Sequence, residues 1–303
     1  MSILGLLLPD VYRPRRCAIN PAPAKRLRSR GVFQSRIAFR PHLFHRRCLQ
    51  SHRSRPRSLA MVSQSFSHVR HWVFDLDNTL YHPSARLFDQ IEVKMTDYVM
   101  SALGVDQQMA NKLRDDYWRE HGTTLAGLMA HHDLDPDPFL LEVHDINFDQ
   151  LEPDALLAER IKTLPGKRII YTNGTAPYAE QVLAARGLEG CFDDIYGVEH
   201  ANYRPKPERQ AFDIIFAKAG IDTAKAAMFE DDPRNLQAPH DLGMRTVHVA
   251  PEATPGAHIH HHTDDLTGFL GLLWAPVPPH TAPAAHPVAP LWRAAAPLFC
   301  RGW

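Results

Sequence analysis

Cysteine is scarce: Cys17, Cys48, Cys191 and Cys300 are the four in 303 residues, and no two form a Cys-x-x-Cys pair. Such scatter excludes a disulfide framework and fits a reducing compartment, with Cys191 read as a core or surface thiol. Long apolar runs are missing too. Ile3–Leu8 is six residues long and its positive charge follows it, so it fits neither a membrane span nor a secretory signal. Acidic residues are nearly absent from one end and wholly absent from the other. Residues 1–60 hold fourteen Lys/Arg against Asp10 alone, and beyond Trp274 there is no Asp or Glu. Of 34 basic and 34 acidic residues in the chain, 20 and 33 remain after residue 60, so a neutral total hides a basic arm and an acidic body.

That break sets a basic arm, 1–66, apart from the fold that follows. An Arg-rich, acid-poor segment has the make-up of an organelle transit peptide, and a basic arm also suits nucleic acid or an anionic membrane. We favour upstream sequence translated from a misplaced start, with Met61 the natural beginning and a cytoplasmic location. The Pro/Ala-rich segment 274–303 lacks the apolar content to build a core and is expected to be a disordered tail.

Between these ends, the punctuation is that of an α/β fold. His71–Phe74 and Arg168–Tyr171 are short apolar runs, and Ala226–Phe229 and Arg245–Val249 are two more. Helical spacing separates them: Pro177 opens a helix with Tyr178 and Val182 on one face, Glu208–Ala219 is closed by Gly220, and Pro233–Leu242 follows the third run. Alternation of this sort predicts a Rossmann-like parallel sheet with helices on both faces, formed by 67–82 and 161–273. Residues 83–160 break it. Strand signals vanish and five helical segments follow one another, Leu87–Leu103, Asp106–Glu120, Thr123–His131, Pro138–His144 and Pro153–Lys162, which predicts an inserted all-helical cap over the strand ends.

The chemistry-bearing residues sit just after the predicted strands. Asp75, Asp77, Asn78 and Thr79 follow the first, Thr172, Asn173 and Gly174 the second, Lys206 lies between Pro205 and Pro207, and Glu230-Asp231-Asp232 follow Ala226–Phe229. Singly each has a plain explanation as a turn, helix start or loop. In a parallel sheet, however, the carboxyl ends of the strands share one edge, so these segments converge. A nucleophile, a hydroxyl, a cation and further carboxylates make a phosphoryl-transfer set. Asp75, at the end of the rigid strand, is the candidate nucleophile, and Asp77 the general acid and then base. Magnesium, which takes oxygen ligands, would be met by Asp75, the main-chain carbonyl of Asp77, and Asp231, with Glu230 or Asp232 supporting it. Thr172, Asn173 and Gly174 at a helix start suit phosphoryl oxygens, and Lys206 offsets charge developing in transfer.

With these four segments in order, the sequence resembles the haloacid dehalogenase-like superfamily over roughly Arg70 to Leu270. Tyr81, Tyr117, His121-Gly-Thr-Thr-Leu-Ala-Gly127, His144-Asp145 and Lys206-Pro-x-x-x-Ala-Phe212 resemble its pyrimidine 5′-nucleotidase branch. The resemblance implies magnesium and hydrolysis of nucleoside monophosphates such as UMP or CMP. It also implies that Asp77, absent from the dehalogenating founders, marks phosphate-ester chemistry. Helix-borne Tyr117, Thr123 and Thr124, with His121 and His144, are candidate substrate contacts, although His121–Thr124 reads equally as a turn and helix cap. Other phosphate monoesters, a sugar-phosphate mutase, and a basic-armed nucleic-acid-binding protein with a vestigial site are the rival readings. The expected partner is a small-molecule phosphate monoester, with no membrane and no nucleic acid. His258, His260, His261 and His262 are expected in a flexible surface loop.

Overall fold

In the computed structural model, which describes residues 62–273, strand β1 (His71–Phe74) lies inside a six-stranded parallel sheet of order β3-β2-β1-β4-β5-β6. Its partners are β2 (Lys167–Tyr171) on one side and β4 (Ala226–Glu230) on the other. The strand can sit there because Trp72, Val73 and Phe74 are all fully buried, the near-continuous apolar run that a sheet covered on both faces requires. Strands β5 (Arg245–Val249) and β6 (His261–Thr263) extend one edge, and β3 (Asp194–Tyr196) forms the other. The basic arm, Cys17, Cys48, Cys300 and the Pro/Ala-rich tail lie outside the described residues.

Alternate side chains feed two cores. Trp72, Phe74, Ile170 and Phe229 pack on one face, where the Phe74 and Phe229 rings stack 4.6 Å apart; Val73, Ile169, Tyr171 and Met228 pack on the other. Register fixes the active edge. Phe74 is level with Ile170 and Phe229, so the next residues out, Asp75, Tyr171 and Glu230, emerge side by side, and Asp75 N donates to Phe229 O at 2.9 Å.

The helical insertion comprises α1 (Leu87–Leu103), α2 (Gln107–His121), α3 (Thr124–His132), α4 (Pro136–Val143) and α5 (Ala155–Lys162). Each of the last four starts on a side-chain cap: Asp106, Thr123, Asp135 and Asp154 accept from the amides of Met109, Ala126, Asp137 and Leu157. Helix α1 ends on Gly104 at φ 65°, where glycine carries no Cβ penalty. On the sheet, α6 (Ala176–Ala185) and α9 (Leu266–Leu273) contribute to the core of Phe74, whereas α7 (Arg209–Ala219) and the short α8 (Gln237–Asp241) join that of Val73. No helix of the described residues is long and apolar enough to cross a membrane.

Three expectations need correction. Strands β3 and β6 have no counterpart in the sequence pattern, because three residues are too few to display a period. The helix expected over Pro233–Leu242 is a 3-10 turn, Pro233–Leu236, followed by five α-helical residues containing Pro239, which lacks an amide donor. The histidine tract is not a flexible loop but the approach to β6 and its first two residues. Its rings are engaged separately, His258 Nε2 with Pro233 O at 3.0 Å, His260 Nδ1 with Thr246 Oγ1 at 2.7 Å, His261 Nε2 with Ser65 Oγ at 3.1 Å and His262 Nε2 with Ala250 O at 2.8 Å. Hydrogen bonds to four different partners, not a shared centre, account for these imidazoles.

Candidate active site

Lys206 is the electrostatic hub, a buried ammonium with 1% of its surface exposed. Its three donors are all taken: Asp75 Oδ1 at 2.6 Å, Glu230 Oε2 at 2.7 Å and Tyr171 O at 3.1 Å. Burial alone would push this lysine down, but the Asp75 and Glu230 carboxylates outweigh it and hold the group well above its ordinary value. The loop carrying it is clamped from another strand end. Lys206 N donates to Asn173 Oδ1 at 2.8 Å, and Asn173 Nδ2 donates back to Lys206 O at 3.1 Å. Asn173, expected to contact substrate, therefore spends its amide on positioning Lys206.

Asp75 has one oxygen fixed and one free. Oδ1 accepts from Lys206, while the buried Oδ2 has no hydrogen-bond partner. Asp75, Glu230 and Asp231 each offer one carboxylate oxygen, all within 4.8 Å of one another. One lysine does not neutralise three acids. Burial first, and the charge of Asp75 second, raise Glu230 well above the carboxylate range and Asp231 to about 7. Three clustered carboxylates beside a single lysine fit a hard divalent cation that takes oxygen ligands. Glu230 belongs to this cluster and Asp232 does not: both Asp232 oxygens grip Arg234, with Nη2 to Oδ2 at 2.6 Å. Asp232, expected as a possible support of the metal, directs its carboxylate to a guanidinium instead.

Asp77 occupies a different environment. Its Oδ1 accepts from Tyr178 at 2.6 Å and from Tyr81 at 2.7 Å, so its side chain is turned to two phenols. Burial, then the Asp75 charge, push its carboxyl up to about 6 against the opposing pull of those hydrogen bonds. Tyr178 read in sequence only as a helix-face residue. Its ring stacks on His144 at 4.3 Å, and burial holds that imidazole down at about 4. Gly174 permits the stack, since a Cβ there would lie 2.8 Å from Tyr178 Cδ1. Thr172 is buried; its Oγ1 accepts from Gly174 N at 2.9 Å.

A cavity of about 480 Å³ opens over these groups. Asp75, Asp77, Thr172, Lys206 and Asp231 line it from the sheet, and Ile91, Met95, Leu125 and Phe139 give the insertion side an apolar wall. Thr123 and Thr124 also line it, the Thr123 hydroxyl serving at the same time as the cap of α3. Tyr117 does not reach it. That side chain is buried against Gly127, where a Cβ would come within 2.2 Å of its Cγ, and its hydroxyl pairs with His132 Nε2 at 2.6 Å. The expected contact is corrected because Tyr117 faces the α2–α3 junction. Its neighbour Trp118, missed in the sequence, lines the cavity instead, together with Arg114 and Arg234.

Residues 69–243 match the haloacid dehalogenase-like hydrolases. Over 194 residues the chain is 25% identical to Phosphate metabolism protein 8 of Saccharomyces cerevisiae, covering 57% of this chain and 59% of that protein. The chain thus spans less than two thirds of that relative's length. Among solved structures it is similar to CbbY from Rhodobacter sphaeroides in complex with phosphate, at 16% identity and a TM-score of 0.49 over 67% of this chain and 96% of that one. It is also similar to a HAD phosphatase from Thermococcus onnurineus, at 18% identity and a TM-score of 0.45 over 64% and 93% of the two chains. By the family match over more than half of its length, the chain belongs to the haloacid dehalogenase-like hydrolase family.

Proposed function

We propose that the chain is a magnesium-dependent phosphatase that hydrolyses phosphate monoesters through an aspartyl-phosphate, with pyrimidine nucleoside 5′-monophosphates as its substrates. The observation that carries this reading is the asymmetry of Asp75: Oδ1 is immobilised by Lys206, and Oδ2 is buried and unpartnered on a residue that lines the cavity. An oriented carboxylate with a free oxygen is suited to attack on phosphorus.

In the first step the Asp75 oxygen bonds to phosphorus as the ester P–O bond breaks, and Asp77 gives its proton to the departing alkoxide. In the second, Asp77 takes a proton from water as the water oxygen attacks the acyl-phosphate, which releases inorganic phosphate and restores Asp75. A carboxyl near 6 can serve both directions, because it is neither firmly protonated nor firmly ionised near neutrality. Lys206 and the Thr172 hydroxyl face the phosphoryl group, the lysine offsetting its charge. Magnesium, held by Asp75, Asp231 and Glu230, would supply the further positive charge that lets a dianion approach three carboxylates.

Substrate choice falls to helices α1–α4, acting as a cap. A cavity of about 480 Å³ has the size of a small-molecule site, and its apolar wall beside Thr123, Thr124 and Arg114 suits a nucleoside better than a bare sugar. The yeast relative's name refers to phosphate metabolism, in keeping with this chemistry. A phosphate-release screen over UMP, CMP, purine nucleotides, sugar phosphates and phosphoglycolate tests the reading. Highest kcat/KM for UMP or CMP supports it; preference for a sugar phosphate overturns the nucleotide assignment, and isomerised product without free phosphate overturns hydrolysis.

A further inference from the structure

Outside the cavity, the ends of α2 and α3 bring together donors that the phosphatase reading does not use. His121 closes α2 and His131 lies in the last turn of α3, and their Nε2 atoms are 2.9 Å apart. The Glu120 carboxylate is 4.0 Å from His121 Nε2, and one ligand atom from each of the three residues lies within 4.8 Å of the others. The rings are held in place. Tyr117 stacks on His131 at 5.3 Å with 10° between the planes, and Tyr117 is itself locked by Gly127 and by its hydrogen bond to His132. One Nε2 donates to the lone pair of the other, and both nitrogens can face a cation once the donor ring carries its proton on Nδ1.

The geometry points to a second metal site, in which Glu120, His121 and His131 bind a borderline transition-metal dication of the zinc type across α2 and α3. The donor set separates it from the core site: imidazole nitrogen suits zinc, nickel or copper, whereas Asp75, Glu230 and Asp231 offer only oxygen, the choice of magnesium. Zinc–imidazole bonds of about 2.0–2.1 Å in a tetrahedron place two nitrogens about 3.3 Å apart, so the rings need to part by about 0.4 Å. His131 is exposed and His121 half-buried, so the site is open to solvent and water can complete the shell. Binding shifts the donor ring to its Nδ1–H tautomer, with no net loss of a proton. It also ties the end of α2 to α3 at the residue directly before Gly122-Thr123-Thr124, the segment that lines the cavity. A metal here would brace the cap without entering the reaction.

Titration of the full chain with zinc chloride in saturating magnesium, followed by calorimetry, tests the assignment, with the visible absorption of bound cobalt as a second readout. The wild type is expected to take up a zinc equivalent that His121→Gln and His131→Gln each lose or bind at least about tenfold more weakly, with circular dichroism unchanged. His260→Gln is expected to retain that equivalent, because His260 is engaged with Thr246. Zinc uptake unchanged in both the His121 and His131 variants overturns the site, as does its loss in His260→Gln alone or the absence of any zinc binding by the wild type.

Discussion

The Arg234 guanidinium carbon lies 3.7 Å from the centroid of the Trp118 ring. A cation from the turn after β4 thus rests on an aromatic face of the helical insertion. Asp232 aims it, by hydrogen bonds to both Nε and Nη2. The same short segment carries Asp231 of the carboxylate cluster and, three residues later, the residue that touches the cap. The acidic cluster and this contact with the helical insertion are therefore joined through one tight turn.

Trp118→Ala removes that face. A cation–π contact at a partly exposed site is worth about 0.5–1 kcal/mol, which corresponds to a two- to fivefold change in an equilibrium, and Trp118 is 48% exposed. We expect KM for UMP to rise by about that factor with kcat little altered, measured by steady-state phosphate release. A large fall in kcat with KM unchanged would show instead that the pair acts on the chemical step.

Asp75→Asn tests the nucleophile. The amide cannot form an acyl-phosphate, so phosphate release should fall to background, while Lys206 keeps Glu230 as its partner. Relief of repulsion among three clustered carboxylates should leave the metal-free protein at least as stable as the wild type in urea unfolding. Turnover surviving this change would sink the covalent mechanism.

Tyr178→Phe deletes one of two hydrogen bonds to Asp77 Oδ1 while keeping the ring on His144. Hydrogen bonds to a carboxylate favour its charged form, so losing one raises the Asp77 carboxyl further above about 6. The acid limb of the kcat profile, where Asp77 must be ionised to activate water, is expected to move to higher pH. An unmoved limb would detach Asp77 from the second step.

His144 sets a pH dependence of stability. Its ordinary value of 6.5 falls to about 4 in the fold, so between those values the unfolded chain binds the extra proton and stability rises with pH. The contribution is complete above 6.5 and is lost as pH drops towards 4, by at most about 3 kcal/mol. Urea unfolding of the wild type and of His144→Gln should therefore converge as pH falls through that window. Parallel curves would count against a neutral, half-buried His144.

Much of the architecture was legible because its signals are local. Short apolar runs mark β1, β2, β4 and β5, and the carboxyl-end rule then gathers Asp75, Thr172, Lys206 and Asp231 at one edge without any knowledge of contacts. Strands β3 and β6 were not legible, since pairing with a neighbour, not propensity, makes three residues a strand.

Division of labour within the site needed the tertiary structure. Glu230 and Asp232 are chemically alike and two residues apart; pairing with Lys206 and with Arg234 tells them apart. Tyr117 and Trp118 are adjacent aromatics on one helix. A helical turn of 3.6 residues separates neighbours by about 100°, so one can face the cavity while the other is buried, and packing against Gly127 decides which. The Tyr178–Asp77 bond joins groups 101 positions apart in the chain, and Asn173 reaches Lys206 across 33. Sequence states which groups the chain can bring to an edge, through local patterns of polarity. Which oxygen is left free, which carboxylate is raised and which ring lines the cavity depend on neighbours that only folding supplies.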